Sequence, residues 1–147
     1  MAIETCARAL LCALVIALVV VNQANAAMTM EQIEKTMATM RNNCASKVNA
    51  DIDIVLGIQK GEFPDDRPLK CYTHCIMKMM RTFKNGRIDD VMMIKQLDMM
   101  IPPDLAVFLK QSTTACAAEP PTGDDCETCF NFVKCSYNKD SEHFFFP

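Results

Sequence analysis

Cysteines are the main side chains in this sequence that could do chemistry. The chain has nine cysteines but only two histidines. Two cysteines lie close to the start, and the others are Cys44, Cys71, Cys75, Cys116, Cys126, Cys129 and Cys135. In an oxidising compartment such a set forms disulfides, whereas in a reducing one it indicates a metal or redox site. The destination of the chain therefore decides between these chemistries.

The first 27 residues predict secretion. Arg8 precedes an apolar run over residues 9–21, and small residues at Ala24-Asn-Ala26 follow, which is the pattern of a cleaved signal peptide. The run is short for a membrane span, which needs about 20 residues, although an N-terminal anchor is the alternative. We therefore expect residues 28–147 to be one secreted, extracellular domain whose cysteines form disulfides.

Neither histidine lies in a motif that supports catalysis. His74 and His143 have no G-x-S-x-G or H-E-x-x-H sequence near them, so we expect no catalytic residues, metal or cofactor. Cys126-Glu-Thr-Cys129 alone is a weak zinc or redox signal, since no second pair at finger spacing follows. We interpret His74 as a solvated residue on a basic helix face, with pH sensing as the alternative. The net charge of −3 at pH 7 argues against nucleic acid and against membrane-active cationic helices.

One predicted helix, over residues 69–84, positions two of the cysteines. Its apolar face at helical spacing consists of Cys71, Tyr72, Cys75, Ile76, Met79 and Phe83. The opposite face consists of Lys70, His74, Lys78, Arg81 and Lys84. Thr82 is predicted to be the one hydroxyl on the apolar face. Because side chains four apart on a helix are about 5–6 Å apart at Cβ, Cys71 and Cys75 must each bond to a different element.

Turn and cap signals divide the rest of residues 28–147 into five further helices. Thr29-Met-Glu-Gln32 is a capping box for the first, which is predicted to end near Asn43. The others are predicted over residues 51–60, closed by Gly61, and over 91–99, 104–118 and 125–137. Cys126 and Cys135 are out of phase on the last helix and must bond to different helices. No set of alternating strands is visible, so the predicted class is all-α.

Six paired cysteines alone would allow 15 connectivities. The choice among them rests on the spacing of the cysteines, which resembles that of a known family. Cys44-x26-Cys71-x3-Cys75-x40-Cys116-x9-Cys126-x8-Cys135 resembles the signature of insect odorant-binding proteins. The resemblance implies a compact array of about six helices around an apolar cavity, locked by three interlocked disulfides. They would be Cys44–Cys75, Cys71–Cys126 and Cys116–Cys135. Cys129 is then left over, as a buried free thiol that packs as a small hydrophobe or as an intermolecular bridge.

The same resemblance implies a carrier function. Such a protein would bind odorant or pheromone-like hydrophobes reversibly and transport them through sensillar lymph or a similar fluid. A non-olfactory carrier of lipids or other hydrophobes is the alternative. The twelve methionines suit an adaptable pocket, or else fill the core in the ordinary way. The expected partner is a small hydrophobic ligand, with an olfactory receptor complex left open. We expect no membrane insertion, and a monomer or weak homodimer.

The predicted ligand-binding residues are one hydroxyl and a set of apolar side chains. They are Ile76, Met79, Thr82, Phe83, Val91, Ile94, Phe108, Phe130, Phe145 and Phe146. Thr82 falls where a member of the family has a ligand-facing threonine, so it is expected to bond to the ligand's polar head. The alternative is that its hydroxyl bonds back to its own helix.

The aromatic end of the chain is predicted to close the cavity. Phenylalanines at residues 144–146 would promote association if they were exposed. They are therefore expected to line the cavity mouth as a wall or lid, the alternative being a tail packed on the outside. His143 stands at the base of this segment with Asp140 and Glu142 beside it. Its protonation near pH 6 is expected to change the docking of the tail, the alternative being that the two carboxylates only solvate it.

Overall fold

The computed structural model describes residues 28–147, which fold as six α-helices with one short hairpin. In chain order the elements are α1 (Met30–Val48), α2 (Ile52–Gly57), a 3₁₀ turn (Ile58–Lys60), α3 (Arg67–Met79), β1 (Phe83–Lys84), β2 (Arg87–Ile88), α4 (Asp90–Met100), α5 (Pro103–Ala117) and α6 (Asp125–Lys139). The all-α prediction is confirmed, with the hairpin as an addition to it. The predicted signal peptide, residues 1–27, lies outside the described residues.

Polar caps set most of the helix starts. Thr29 and Gln32 form the predicted capping box at α1, with the Gln32 side-chain oxygen 2.9 Å from the Thr29 amide nitrogen. Asp89 caps α4 through the amide of Met92. The predicted end of α1 near Asn43 is wrong, because the helix continues to Val48 and ends at a left-handed Asn49. An asparagine inside a helix costs only a fraction of a kcal/mol, which the burial of Cys44 and its neighbours offsets.

The hairpin replaces the predicted last turn of the third helix. α3 ends at Met79 rather than near Lys84, and Arg81 has a positive φ of 59°. Asn85 and Gly86 also have positive φ, as required of the central residues in a two-residue hairpin turn. Phe83 pairs with Ile88 across the strands. The Asn-Gly pair therefore reverses the chain, and Thr82 and Phe83 do not lie on the helix to which they were assigned.

The buried face of α3 also differs from the predicted one. It consists of Leu69, Tyr72, Thr73, Ile76 and Met77, and it runs on to Met80 at steps of three and four residues. Met79 lies beside this stripe and its side chain is 44% exposed. Thr73 is fully buried there, so Thr82 is not the single hydroxyl of the inward surface.

Three disulfides fasten the helices around α3 and α6. Cys44–Cys75 joins α1 to α3, Cys71–Cys126 joins α3 to α6, and Cys116–Cys135 joins α5 to α6. This is the pairing that the family resemblance implied. Cys129 is free and fully buried, and burial raises the pKa of its thiol to about 12. It therefore stays protonated and packs as a small apolar side chain.

Candidate functional site: an apolar cavity lined by the C-terminal tail

A cavity of about 150 Å³ lies between α1, α3, α4, α5, α6 and the tail, which we define as residues 140–147. Seven methionines form much of its wall: Met28, Met37, Met40, Met77, Met80, Met93 and Met100. The remaining apolar lining is Ile33, Leu97, Ile101, Leu109, Phe132, Val133 and the tail residues Phe144, Phe145, Phe146 and Pro147.

Helical spacing explains why the methionines meet at this cavity. On α1, Met37 and Met40 follow Ile33 at steps of four and three residues, so all three share a face. On α4, Met93 and Met100 flank Leu97 in the same way. Unbranched thioether side chains have several rotatable bonds and can repack around molecules of different shape. The wall is therefore apolar and adaptable.

The tail forms one wall of the cavity and is held by aromatic and polar contacts. The ring of Phe144 packs edge-on against Tyr137, with centroids 5.2 Å apart, and Phe146 packs similarly against Tyr72 at 6.3 Å. The Tyr72 hydroxyl donates to the backbone oxygen of Pro147, and the Gln59 amide donates to that of Phe146. Burial raises the pKa of Tyr72, so its hydroxyl remains a donor.

Three of the predicted ligand-binding residues, Thr82, Phe145 and Phe146, line the cavity. The structure places the other seven elsewhere. Ile76 and Phe130 belong to the core, Val91 is 74% exposed, and the remainder are the exposed Met79 and Phe108, the half-buried Ile94 and the hairpin residue Phe83. Helical periodicity identifies apolar faces but not which of them meet empty space. The seven methionines of the wall were not among the predicted ligand-binding residues, although their three- and four-residue spacing was the available signal.

Thr82 is fully buried, and its hydroxyl has a partner within the protein. The hydroxyl donates to the backbone oxygen of Met77 at 3.2 Å. The acceptor is a carbonyl of α3, as in the alternative considered for the sequence, although Thr82 itself lies beyond the end of that helix. Thr82 therefore presents its side chain to the cavity without an available hydroxyl hydrogen.

The two histidines occupy different positions around the fold. His143 stacks on Phe108 with centroids 3.9 Å apart, and its Nδ1 lies 2.8 Å from an Asp140 carboxylate oxygen. Burial alone would raise the pKa of Asp140, but hydrogen bonding to His143 holds it below the ordinary value. The side chain of His74 is only 20% exposed, so the interpretation of His74 as a solvated residue is wrong. Cys71, one turn before His74 on α3, bonds to α6, which draws this side of the helix against its neighbour.

Among the described residues, those that line the cavity include no histidine, cysteine, aspartate or glutamate. Across residues 28–147, histidine, cysteine and acidic side chains do not gather into a group that could hold a metal ion. None of the helices in that range is both long and apolar enough to span a bilayer. Fold and cavity together define a disulfide-locked helical protein with an apolar cavity, as small-ligand carriers have.

The model of the PBP/GOBP family matches residues 26–139, and the chain belongs to this family of odorant-binding proteins. It is 30% identical to general odorant-binding protein 72 of Anopheles gambiae over 120 residues, which covers 81% of this chain and 98% of that protein. Its fold is similar to that of Apis mellifera odorant binding protein 5, with a TM-score of 0.78 and 44% identity, and the match covers 83% of this chain and 100% of that one. For odorant binding protein 4 of Chrysopa pallens the TM-score is 0.75 and the identity 32%, and the match covers 82% of this chain and 99% of that one.

Membership of this family settles the class of function. Odorant-binding proteins are non-enzymatic carriers of small hydrophobic ligands, and this chain is accordingly a small-ligand carrier and not an enzyme. Its homologues are secreted, and three disulfides fit an extracellular protein.

Proposed function

We propose that this protein binds small odorant or pheromone-like hydrophobes in the methionine-lined cavity and transports them through an extracellular fluid such as sensillar lymph. The cavity itself carries the proposal, because it is apolar, lies within the helical array and is walled by side chains that can repack. The predicted signal peptide, residues 1–27, would direct the chain to secretion.

The disulfides account for the persistence of a cavity in so small a domain. At about 24 cal/mol per Å³, a cavity of about 150 Å³ costs about 3–4 kcal/mol of stability. In the chain-entropy model, each of these disulfides closes the chain between its two cysteines into a loop and thereby stabilises the folded state by about 3–4 kcal/mol. Three such bonds therefore offset the absence of filling side chains.

The volume of the cavity limits the ligand. About 150 Å³ matches a cavity that takes up benzene and is below the roughly 300–1,000 Å³ of sites for drug-sized molecules. With the tail in place, the cavity suits a molecule of about ten non-hydrogen atoms or fewer. A longer chain requires the methionines or the tail to move.

The expected affinity permits release as well as uptake. Burying about ten methylene-like groups provides about 8 kcal/mol of transfer free energy. The loss of translational and rotational freedom opposes this by at least about 4 kcal/mol. The net binding free energy is then at most about 4 kcal/mol, which corresponds to a dissociation constant of about 1 mM or weaker.

A tryptophan placed in the cavity tests the site. Met37 lines the cavity, so Met37→Trp should fill much of it and reduce affinity for a single-ring hydrophobe at least tenfold. Val91→Trp is the matched control, because Val91 is exposed and does not line the cavity. Native mass spectrometry measures the affinity and stoichiometry in both variants. The chain has no tryptophan of its own, so the indole in Met37→Trp also reports binding in the cavity by fluorescence. Equal affinity in both variants would place the ligand somewhere other than this cavity.

A further inference from the structure

Six polar side chains line the cavity, and five of them already donate to a backbone carbonyl. The five donors, with their acceptors, are Thr36 to Gln32 at 2.8 Å, Thr82 to Met77 at 3.2 Å, Gln96 to Met80 at 2.7 Å, Ser112 to Leu109 at 3.1 Å and Ser136 to Phe132 at 2.9 Å. Each of the four hydroxyls among them has only one hydrogen, which is used inside the protein.

Thr113 on α5 is the sixth polar side chain, and its hydroxyl has a different partner. It is 5% exposed, and it donates across to the sulfur of Met93 on α4 at 3.5 Å. A thioether is a weak acceptor. Threonine in a helix can instead bond to a carbonyl three or four residues earlier, yet Thr113 does not. The Thr113 hydroxyl hydrogen therefore points at a weak acceptor on the cavity wall, the Met93 sulfur. A ligand with a stronger acceptor would replace this sulfur.

We propose that the Thr113 hydroxyl is the polar anchor of the ligand, and that the preferred ligands are small hydrophobes with one carbonyl oxygen. The proposal rests on the proposed carrier function. The ligand oxygen takes the place of the Met93 sulfur, and the flexible Met93 side chain moves aside. The apolar remainder of the ligand lies against the other methionines. Thr82, the hydroxyl expected from the sequence to hold the polar head, keeps its bond to Met77 in this arrangement.

A pair of nearly isosteric ligands isolates this hydrogen bond. Acetophenone has one carbonyl oxygen, and isopropylbenzene has a methyl group in its place. Thr113→Val keeps the branched shape and removes the donor, and it should weaken acetophenone binding about two- to tenfold while leaving isopropylbenzene binding unchanged. Thr82→Val is the matched control, since it makes the same change at another buried cavity position and should not discriminate between the ligands.

Infrared spectroscopy of bound acetophenone gives a second readout that does not depend on affinity. Its carbonyl stretch should lie at a lower frequency in the wild type and in Thr82→Val than in Thr113→Val, where the hydrogen bond is absent. An unchanged band, or equal losses for both ligands, would overturn the assignment of Thr113. So would a selective loss in Gln96→Leu with none in Thr113→Val, because the Gln96 amide has a second hydrogen. A wild type that binds neither ligand would remove the carrier proposal as well, whereas binding of both without discrimination would remove only the anchor.

Discussion

His74 is a largely buried imidazole whose surroundings disfavour its charged form. Burial lowers its pKa from the ordinary value of 6.5, and Lys78 lowers it further, while Asp125 and Asp124 oppose the change. Within the described residues its Nε2 is buried without a hydrogen-bond partner. The folded protein therefore binds this proton less readily than the unfolded chain. In consequence, the free energy of unfolding falls as the pH is lowered from about 6.5 towards the depressed folded-state pKa.

Replacing His74 should remove this part of the acid sensitivity. We expect His74→Gln to lose less stability than the wild type when the pH falls from 7 to 5, as measured by urea unfolding at each pH. His143→Gln is the control, because it leaves the surroundings of His74 unchanged and should retain the His74 contribution. The same pH dependence in the wild type and in His74→Gln would contradict the effect assigned to burial.

At the level of elements, the turn after α2 is coupled to the tail through one aromatic ring. Gly61 ends the 3₁₀ turn with φ of 79°, as predicted from its place after that segment. A Cβ on Gly61 would lie 2.5 Å from Cε1 of Tyr137. Tyr137 also packs against Phe63 and against Phe144 of the tail. A change at Gly61 therefore reaches the wall of the cavity.

Two glycine substitutions separate backbone strain from steric conflict at this contact. Gly61 and Gly123 both have positive φ, but a Cβ at Gly123 would meet no atom within 4 Å. We expect Gly123→Ala to lower the free energy of unfolding by about 1–2 kcal/mol. Gly61→Ala should lower it by a further 1–3 kcal/mol or so, because Tyr137 must move. Equal decreases in the free energy of unfolding of the two variants, measured with denaturant, would show that Tyr137 moves without an energetic cost.

For the whole molecule, the disulfides and the tail have separate roles. The three bonds connect α1, α3, α5 and α6, so the helical array does not depend on the tail. The tail lines the cavity through Phe144, Phe145 and Phe146. Binding and folding should therefore respond differently when the tail is removed.

Deleting residues 144–147 should reduce affinity for a single-ring hydrophobe at least tenfold, because one apolar wall is lost, while helicity by circular dichroism is retained. Tyr72→Phe is a graded companion that keeps the ring against Phe146 and removes the hydrogen bond to Pro147. It should weaken binding less than the deletion does. Unchanged affinity in a folded deletion variant would exclude the tail from the site.

Features that depend on neighbouring residues were predictable from the sequence. The capping box at Thr29 and the left-handed Gly61 each follow from the chemistry of residues close by in the chain. The cysteine spacing indicated the family and, with it, the disulfide pairing, whereas helical periodicity without alternating strands indicated the all-α class. The hairpin at Asn85-Gly86 was also encoded locally, but the same dipeptide is compatible with a helix end.

Only the tertiary structure decided which side chains surround the cavity. Helical periodicity establishes that residues share a face, but it does not say whether that face meets a neighbouring helix or empty space. Ile76 and Phe130 lie on apolar faces, but packing places them in the core and not at the cavity. Val91 also lies on an apolar face, but no neighbouring element covers it and it is exposed. Thr113 could not be singled out either. Its distinction is a hydroxyl directed at Met93 on another helix, and contacts between helices exist only once the chain has folded.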